Sequence, residues 1–243
     1  MESETHRWYS DRIGQDIHVR VYGHFGQPVL VFPTSGGDER EYEGQGMFDH
    51  LSHHMQAGRV KFFCVNSVNH DSWYNKNIHP ADRAKFQVAY DDAIANEVLP
   101  FIEHHCSAKG IAITTTGASF GAYHAANTLF KHPTRVRRCL ALSGVYDLRK
   151  FMDGHFDDNF YFNNPVDYLA NLTDWNILQY LHQCDIRLAT GHGPYEDSAP
   201  SRRMSAILTS RGIPHHLDDW REQGGHDWPY WKHQMDVYIS RLF

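Results

Sequence analysis

The 243 residues, 28.2 kDa in mass, suit one α/β domain, and with 41% hydrophobic and 21% charged residues they exclude global disorder. Lys plus Arg number 23 against 29 Asp plus Glu, a formal charge of −6, and no basic run exceeds Arg137-Arg138, so no nucleic-acid partner is expected. No apolar stretch approaches the roughly 18 residues of a membrane span, and none is expected.

The amino terminus is polar and acidic without a secretory pattern, which makes the cytoplasm the expected compartment. Cys64, Cys106, Cys139 and Cys184 lie far apart with no C-x-x-C spacing. The first, third and fourth sit in or beside apolar runs and read as buried, reduced thiols. Nineteen histidines are the odd feature: protonating all of them would move the formal charge from −6 to +13, so acid is expected to destabilise the protein.

Short apolar runs alternate with longer helical patterns and no linker divides them. Residues 16–22 alternate with period two, as an edge or hairpin strand does. Runs at 28–32, 60–65, 111–116, 139–143, 186–190 and 215–220 follow, most of them continuously apolar, as strands covered on both faces are. Helices are predicted over 46–57, 81–106 with a kink at Pro100, 120–131, 200–210 and 229–242. Residues 148–181, aromatic and rich in Asn and Asp, read as a small cap inserted over one end of the sheet. The alternation predicts a single doubly wound, mostly parallel α/β sheet flanked by helices, whose ligands bind beyond the carboxyl ends of the strands.

The strongest chemical signal is Gly117-Ala118-Ser119-Phe120-Gly121, between a predicted strand and a predicted helix. That setting holds a serine on a sharp elbow, where a Cβ at either glycine would clash and a helix amino end favours developing negative charge. A serine hydroxyl needs a base to become a nucleophile. His226, in a glycine-hinged loop after the last strand, is the candidate. The third member is a carboxylate after the penultimate strand, Glu196 or its neighbour Asp197, with Glu196 slightly favoured and Asp147 a weaker competitor. Oxyanion donors are expected from the N–H of Phe120 and from the turn Pro33-Thr34-Ser35-Gly36-Gly37, with Gly37 ahead of Ser35. Trp73 and Tyr74 follow the strand 60–65 on the same side and are expected to line an acyl or aryl pocket.

The pairs His53-His54, His104-His105 and His215-His216 read as surface or helix-end residues. His50, His53 and His54 have helical metal-ligand spacing but no acidic or cysteine partner near them in sequence, so no metal is expected.

On the motifs Phe32–Gly37, Ser72-Trp73-Tyr74, Gly117–Tyr123, Leu142-Ser143-Gly144 and Gly225–Trp231, the chain resembles the esterase branch of the α/β-hydrolases. That branch includes esterase D-like S-formylglutathione hydrolases, enterobactin-type esterases and mycolyltransferases. The resemblance implies an α/β-hydrolase fold with Ser119 as nucleophile, His226 as base and the Phe120 N–H as an oxyanion donor. It departs from the mycolyltransferases at residues 202–207, where their acid-bearing helix has no counterpart carboxylate. The expected activity is hydrolysis of a small-molecule carboxylic ester through an acyl-enzyme, with no cofactor. An acyltransferase using the same residues and a catalytically silent binding module are the alternatives, and a homo-oligomer is compatible with the sequence.

Overall fold

The computed structural model describes residues 3–243. Eight strands form one sheet in the spatial order 1-2-4-3-5-6-7-8: β1 (Ser3–Ser10), β2 (Gln15–Tyr22), β3 (Gln27–Phe32), β4 (Val60–Val65), β5 (Ile113–Ala118), β6 (Val136–Leu142), β7 (Asp185–Thr190) and β8 (His216–Asp219). β1, β2 and β4 pair antiparallel, and the rest of the sheet from β4 to β8 is parallel. The helices are α1 (Glu41–Gly44), α2 (Met47–His50), α3 (Ser52–Gln56), α4 (Pro80–Ala93), α5 (Leu99–His105), α6 (Phe120–Lys131), α7 (Asp158–Tyr161), α8 (Pro165–Tyr168), α9 (Trp175–Leu181), α10 (Ala199–Ser210) and α11 (Trp228–Leu242).

Every residue of β4 and β5 is buried, as continuous apolar runs in a doubly covered sheet should be. On one face α4–α6 and α10 cover a core that includes Leu30, Phe63, Leu129, Ile186 and Leu208. On the other, α2, α3 and α11 cover Val29, Phe62, Leu140 and Met235. The parallel strands all run the same way, so the turns after β3, β5, β7 and β8 gather at one edge.

Four differences from the sequence reading have physical causes. Residues 3–10 form a strand that the polar composition concealed; it pairs with β2 from Ser3↔Tyr22 to Ser10↔Gln15, which moves the strand at 16–22 one place in from the edge. The strand expected at 111–116 is shifted to Ile113–Ala118, because its pairing with β6 reaches from Ile113 to Ala118. The long helix breaks into α4, a π-turn (Ile94–Val98) and α5, since Pro100 offers no N–H to the turn before it. The helix expected at 46–57 is two short ones that meet at Leu51.

Residues 148–181 fold as short helical turns anchored by two fully buried asparagines. The Tyr123 hydroxyl donates to the Asn163 carbonyl (2.9 Å) and the Leu148 N–H to Asn164 Oδ1 (2.8 Å). Trp73, Phe120, Tyr123, Phe151 and Phe160 pack together between this segment and α6.

Among the histidines, His124 on α6 is fully enclosed by Phe32, Tyr90, Phe120 and Tyr123, and burial pushes its imidazole down to about 3. An unfolded histidine titrates near 6.5, so unfolding takes up a proton below that pH. This contribution to stability is complete above about pH 6.5 and declines as pH falls from there toward 3. The carboxyls of Asp153, held low by Arg83, and Asp219, held low by the Arg221 N–H, act only below the ordinary carboxylate value of 3.8. The melting temperature is therefore expected to fall between pH 7 and pH 5, and His124→Gln to flatten that fall; an identical pH dependence in the variant would contradict the assignment.

Candidate active site

Ser119 sits between β5 and α6 with φ 56° and ψ −116°, a left-handed backbone that costs a non-glycine residue about 1–3 kcal/mol. Its N–H donates to the Leu142 carbonyl at 2.8 Å, which ties the elbow to the end of β6. The flanking glycines are sterically required. A Cβ on Gly117 would lie 2.4 Å from the Gly121 carbonyl carbon, and one on Gly121 would lie 2.4 Å from the Phe32 oxygen and 2.7 Å from the Pro33 oxygen. The chain leaving β3 therefore crosses directly over the start of α6.

The structure brings Ser119 and His226 together. Ser119 Oγ and His226 Nε2 are hydrogen-bonded at 2.9 Å, and His226 Nδ1 faces Glu196 Oε2 at 3.6 Å, an ion-pair separation longer than a hydrogen bond. The Glu196 side chain is 1% exposed; its Oε1 accepts the Thr190 hydroxyl at 2.7 Å, while Oε2 is buried with no hydrogen-bond partner among the described residues. Asp197 is turned away and accepts the Ala199 N–H at 2.9 Å, at the start of α10. Asp147 is engaged by Arg149 (2.7 Å) and Arg203 (2.6 Å); burial would raise its carboxyl, but these partners hold it below its ordinary value.

Three backbone bonds strap the loop bearing Glu196 to the loop bearing His226: His192 N–H to Arg221 (2.7 Å), Gly193 N–H to Gly224 (2.9 Å) and His226 N–H to Pro194 (2.9 Å). The His226 ring meets Trp231 edge-on at 5.2 Å, and the Trp231 indole N–H donates to Ser143 Oγ at 3.0 Å. Ser143 itself has a positive φ of 51°. The sequence placed Trp231 and Ser143 in the motifs Gly225–Trp231 and Leu142–Gly144 without a role for either, and gave none to Thr190. Positive φ and a bond between α11 and the end of β6 leave no local trace in a chain.

Phe120 opens α6, so its N–H has no acceptor within the helix. The expectation for Gly37 is corrected: its N–H donates to the Thr34 carbonyl at 3.2 Å, which removes it as a donor. The Ser35 N–H has no acceptor among the described residues, and Ser35 Oγ accepts the Tyr74 hydroxyl at 2.8 Å. Tyr74 is half-exposed and packs on Phe120 and Phe151. Trp73 is 0% exposed, with its indole N–H donating to Gln87 Oε1; it is core beneath the site and not a pocket wall.

A cleft of about 440 Å³ opens beside His226, walled by Tyr146, Lys150, Tyr195, Asp197 and Arg203. A larger surface groove, about 890 Å³ along β8 and α11, contains none of these site residues.

Among the described residues, two groups of side chains have the composition of metal ligands: Glu4, His6 and His105, and His53, His54 and Asp236. The second corrects the reading that His53 and His54 lack an acidic partner, because α11 delivers Asp236 to within 3.3 and 3.0 Å of them. His54 is also buried, not a surface residue. Each group makes histidine–carboxylate contacts, while His54 Nδ1 and His105 Nδ1 are buried with no hydrogen-bond partner among the described residues.

The profile of the Esterase family, described as "Putative esterase", matches residues 10–242, and the chain belongs to that family. No curated protein sequence matches it. Its fold is that of a ferulic acid esterase (16% identity, TM-score 0.75, covering 100% of this chain and 99% of that one). It is also that of S-formylglutathione hydrolase from Staphylococcus aureus (14%, 0.68, 98% and 95%) and of MPT51 from Mycobacterium tuberculosis (15%, 0.72, 100% and 98%). The protein is thus an α/β-hydrolase-fold enzyme of the esterase family, a hydrolase of ester bonds. No helix among the described residues is long and apolar enough to cross a membrane.

Gly121→Ala is expected to lower unfolding stability by about 1–3 kcal/mol, the usual range for forced overpacking. A urea midpoint equal to that of the parent would show that the Phe32–Pro33 chain yields freely.

Proposed function

We propose that the protein hydrolyses a small carboxylic ester through an acyl-enzyme formed on Ser119. The observation that carries this is the 2.9 Å contact between Ser119 Oγ and His226 Nε2 on a strained elbow. In the first half-reaction Ser119 attacks the ester carbonyl as its proton passes to His226 Nε2. His226 then returns the proton to the departing alkoxide oxygen, leaving Ser119 acylated. In the second half-reaction water attacks the acyl carbonyl as its proton passes to His226; the tetrahedral intermediate then releases the acid by breaking its bond to Ser119 Oγ, which takes the proton back from His226 Nε2. Glu196, facing Nδ1, holds the imidazole in the tautomer that leaves Nε2 free and stabilises the imidazolium. Contacts of this kind tighten when substrate is bound, so 3.6 Å is compatible with the role.

The oxyanion of the tetrahedral intermediate is received by the N–H groups of Phe120 and Ser35. The leaving group or acyl chain occupies the cleft beside His226, and residues 148–181, which contribute Lys150 and Val166 to its wall, act as the cap above it. The reaction needs no cofactor. All four cysteines are free, with Cys64, Cys139 and Cys184 buried and their thiols pushed up by burial, which suits the reducing cytoplasm.

The test is turnover of p-nitrophenyl esters from acetate upward, with labelling by a fluorophosphonate probe. Ser119→Ala should lose at least about 10³-fold in kcat and all labelling while keeping its melting temperature. Turnover retained in that folded variant would reject the mechanism. Glu196→Gln should lose about 10³–10⁴-fold, and Asp197→Asn should leave kcat nearly unchanged. The reverse order would transfer the acid's role to Asp197.

A further inference from the structure

We propose that Glu41 is a positioning residue of the oxyanion pocket: its carboxylate fixes the turn after β3 so that the Ser35 N–H is held ready beside the elbow. The inference rests on the reading of Ser119 as nucleophile. Glu41 Oε2 accepts the Thr34 N–H at 2.8 Å and Oε1 accepts the Thr34 hydroxyl at 2.5 Å, so both oxygens close on a single residue of the turn. The same carboxylate packs against the Cα of Gly37, where a Cβ would come within 2.3 Å of its Cδ. Gly37 is therefore glycine to admit Glu41, and its N–H closes the turn onto the Thr34 carbonyl.

Consequences follow for Ser35. The residue before it is gripped by Glu41, and the residues before that have their carbonyls in contact with Gly121. On its other side the Ser35 hydroxyl is engaged by Tyr74, which packs on Phe120. Within the turn the Thr34 and Gly37 N–H groups are engaged, by Glu41 and by the Thr34 carbonyl, while those of Ser35 and Gly36 have no acceptor among the described residues; Ser35 is the one also held to the elbow, through Tyr74 and Phe120. A donor ordered before substrate arrives stabilises the transition state without reorganising, and a small misplacement costs about 10²-fold in rate. The cost of the device is a carboxylate kept partly from water: burial raises the Glu41 carboxyl above its ordinary value, against the two Thr34 bonds.

The test compares the parent with Glu41→Ala and Glu41→Gln. It reads kcat and KM for p-nitrophenyl acetate, and Ki for an alkyl trifluoromethyl ketone that forms an anionic hemiketal on the serine. For Glu41→Ala, kcat should fall about 10²-fold with KM little changed, and Ki should rise by a similar factor. Glu41→Gln, which keeps an acceptor for the Thr34 N–H, should recover part of both. A kcat and Ki within threefold of the parent in folded Glu41→Ala overturns the proposal, as does a loss of kcat with Ki unmoved. Should Glu41→Ala not fold, Thr34→Val, Glu41→Gln and the double variant decide: non-additive losses support the proposal, and losses under threefold in all three overturn it. A parent enzyme that takes no fluorophosphonate and hydrolyses no ester would overturn the nucleophile reading and this one together. A labelled parent with an indifferent Glu41→Ala would overturn this one alone.

Discussion

The backbone of Ser119 stands at φ 56°, and most of what surrounds it can be understood as the means of keeping it there. Left alone, that conformation would relax at a gain of about 1–3 kcal/mol, taking Oγ away from His226. Three restraints oppose the relaxation. The Ser119 N–H is tied to Leu142 at the end of β6, α6 runs on without interruption for twelve residues, and the Phe32 and Pro33 carbonyls press on Gly121 from above. Because β3, β5 and β6 are adjacent in the sheet, each restraint comes from a strand end that the fold already brings there. The strain is thus carried by the most buried part of the protein, where displacing one group means displacing its close-packed neighbours.

The other half of the site is built differently. Glu196 and His226 stand on loops, yet three backbone hydrogen bonds join those loops into a short irregular ribbon, so neither side chain moves independently of the other. Trp231 then fixes the imidazole from behind, anchored in turn by Ser143. Ser143 is the residue that follows β6, the strand to which the elbow is tied. The serine and the histidine, 107 residues apart in sequence, are therefore referred to the same strand end.

What the chain revealed, and what it hid, follows from the range of the interactions. The elbow was legible because Gly117, Ser119 and Gly121 fall at alternate positions of one five-residue run and the steric rule that selects them is local. His226 was legible because glycines and a helix-starting proline bracket it. The choice between Glu196 and Asp197 was not, since it depends on which way each side chain leaves the turn; Tyr195, at φ 62°, precedes them, and Glu196 goes inward while Asp197 goes to α10. Gly37 was preferred over Ser35 because glycine signals close backbone approach. The approach is real, but it is made by the Glu41 carboxylate. Trp73 and Tyr74 show the same limit, neighbours with one in the core and one at the surface. The strand at 3–10 escaped because its alternation carries few apolar residues, and the meeting of His53 and His54 with Asp236 because only the packing of α3 against α11 creates it.

The segment 148–181 is fixed by polar chemistry as well as by apolar burial. The Arg83 guanidinium, itself buried, donates to the carbonyls of Asn75 and Phe151 and pairs with Asp153, joining the segment to the loop that carries Tyr74. Asn163 and Asn164 join it to α6 and to the chain after β6. Opening it would break these bonds together, each worth about 0.5–1.5 kcal/mol net, and would expose the apolar side chains it buries. Movement of the whole segment is therefore a costly route for a ligand. The cheaper route is the cleft beside His226, where Tyr195 is 88% exposed and Lys150 lies over the Phe151 ring with no carboxylate paired to it among the described residues. His226 lines this cleft, and the segment contributes Lys150 and Val166 to its wall.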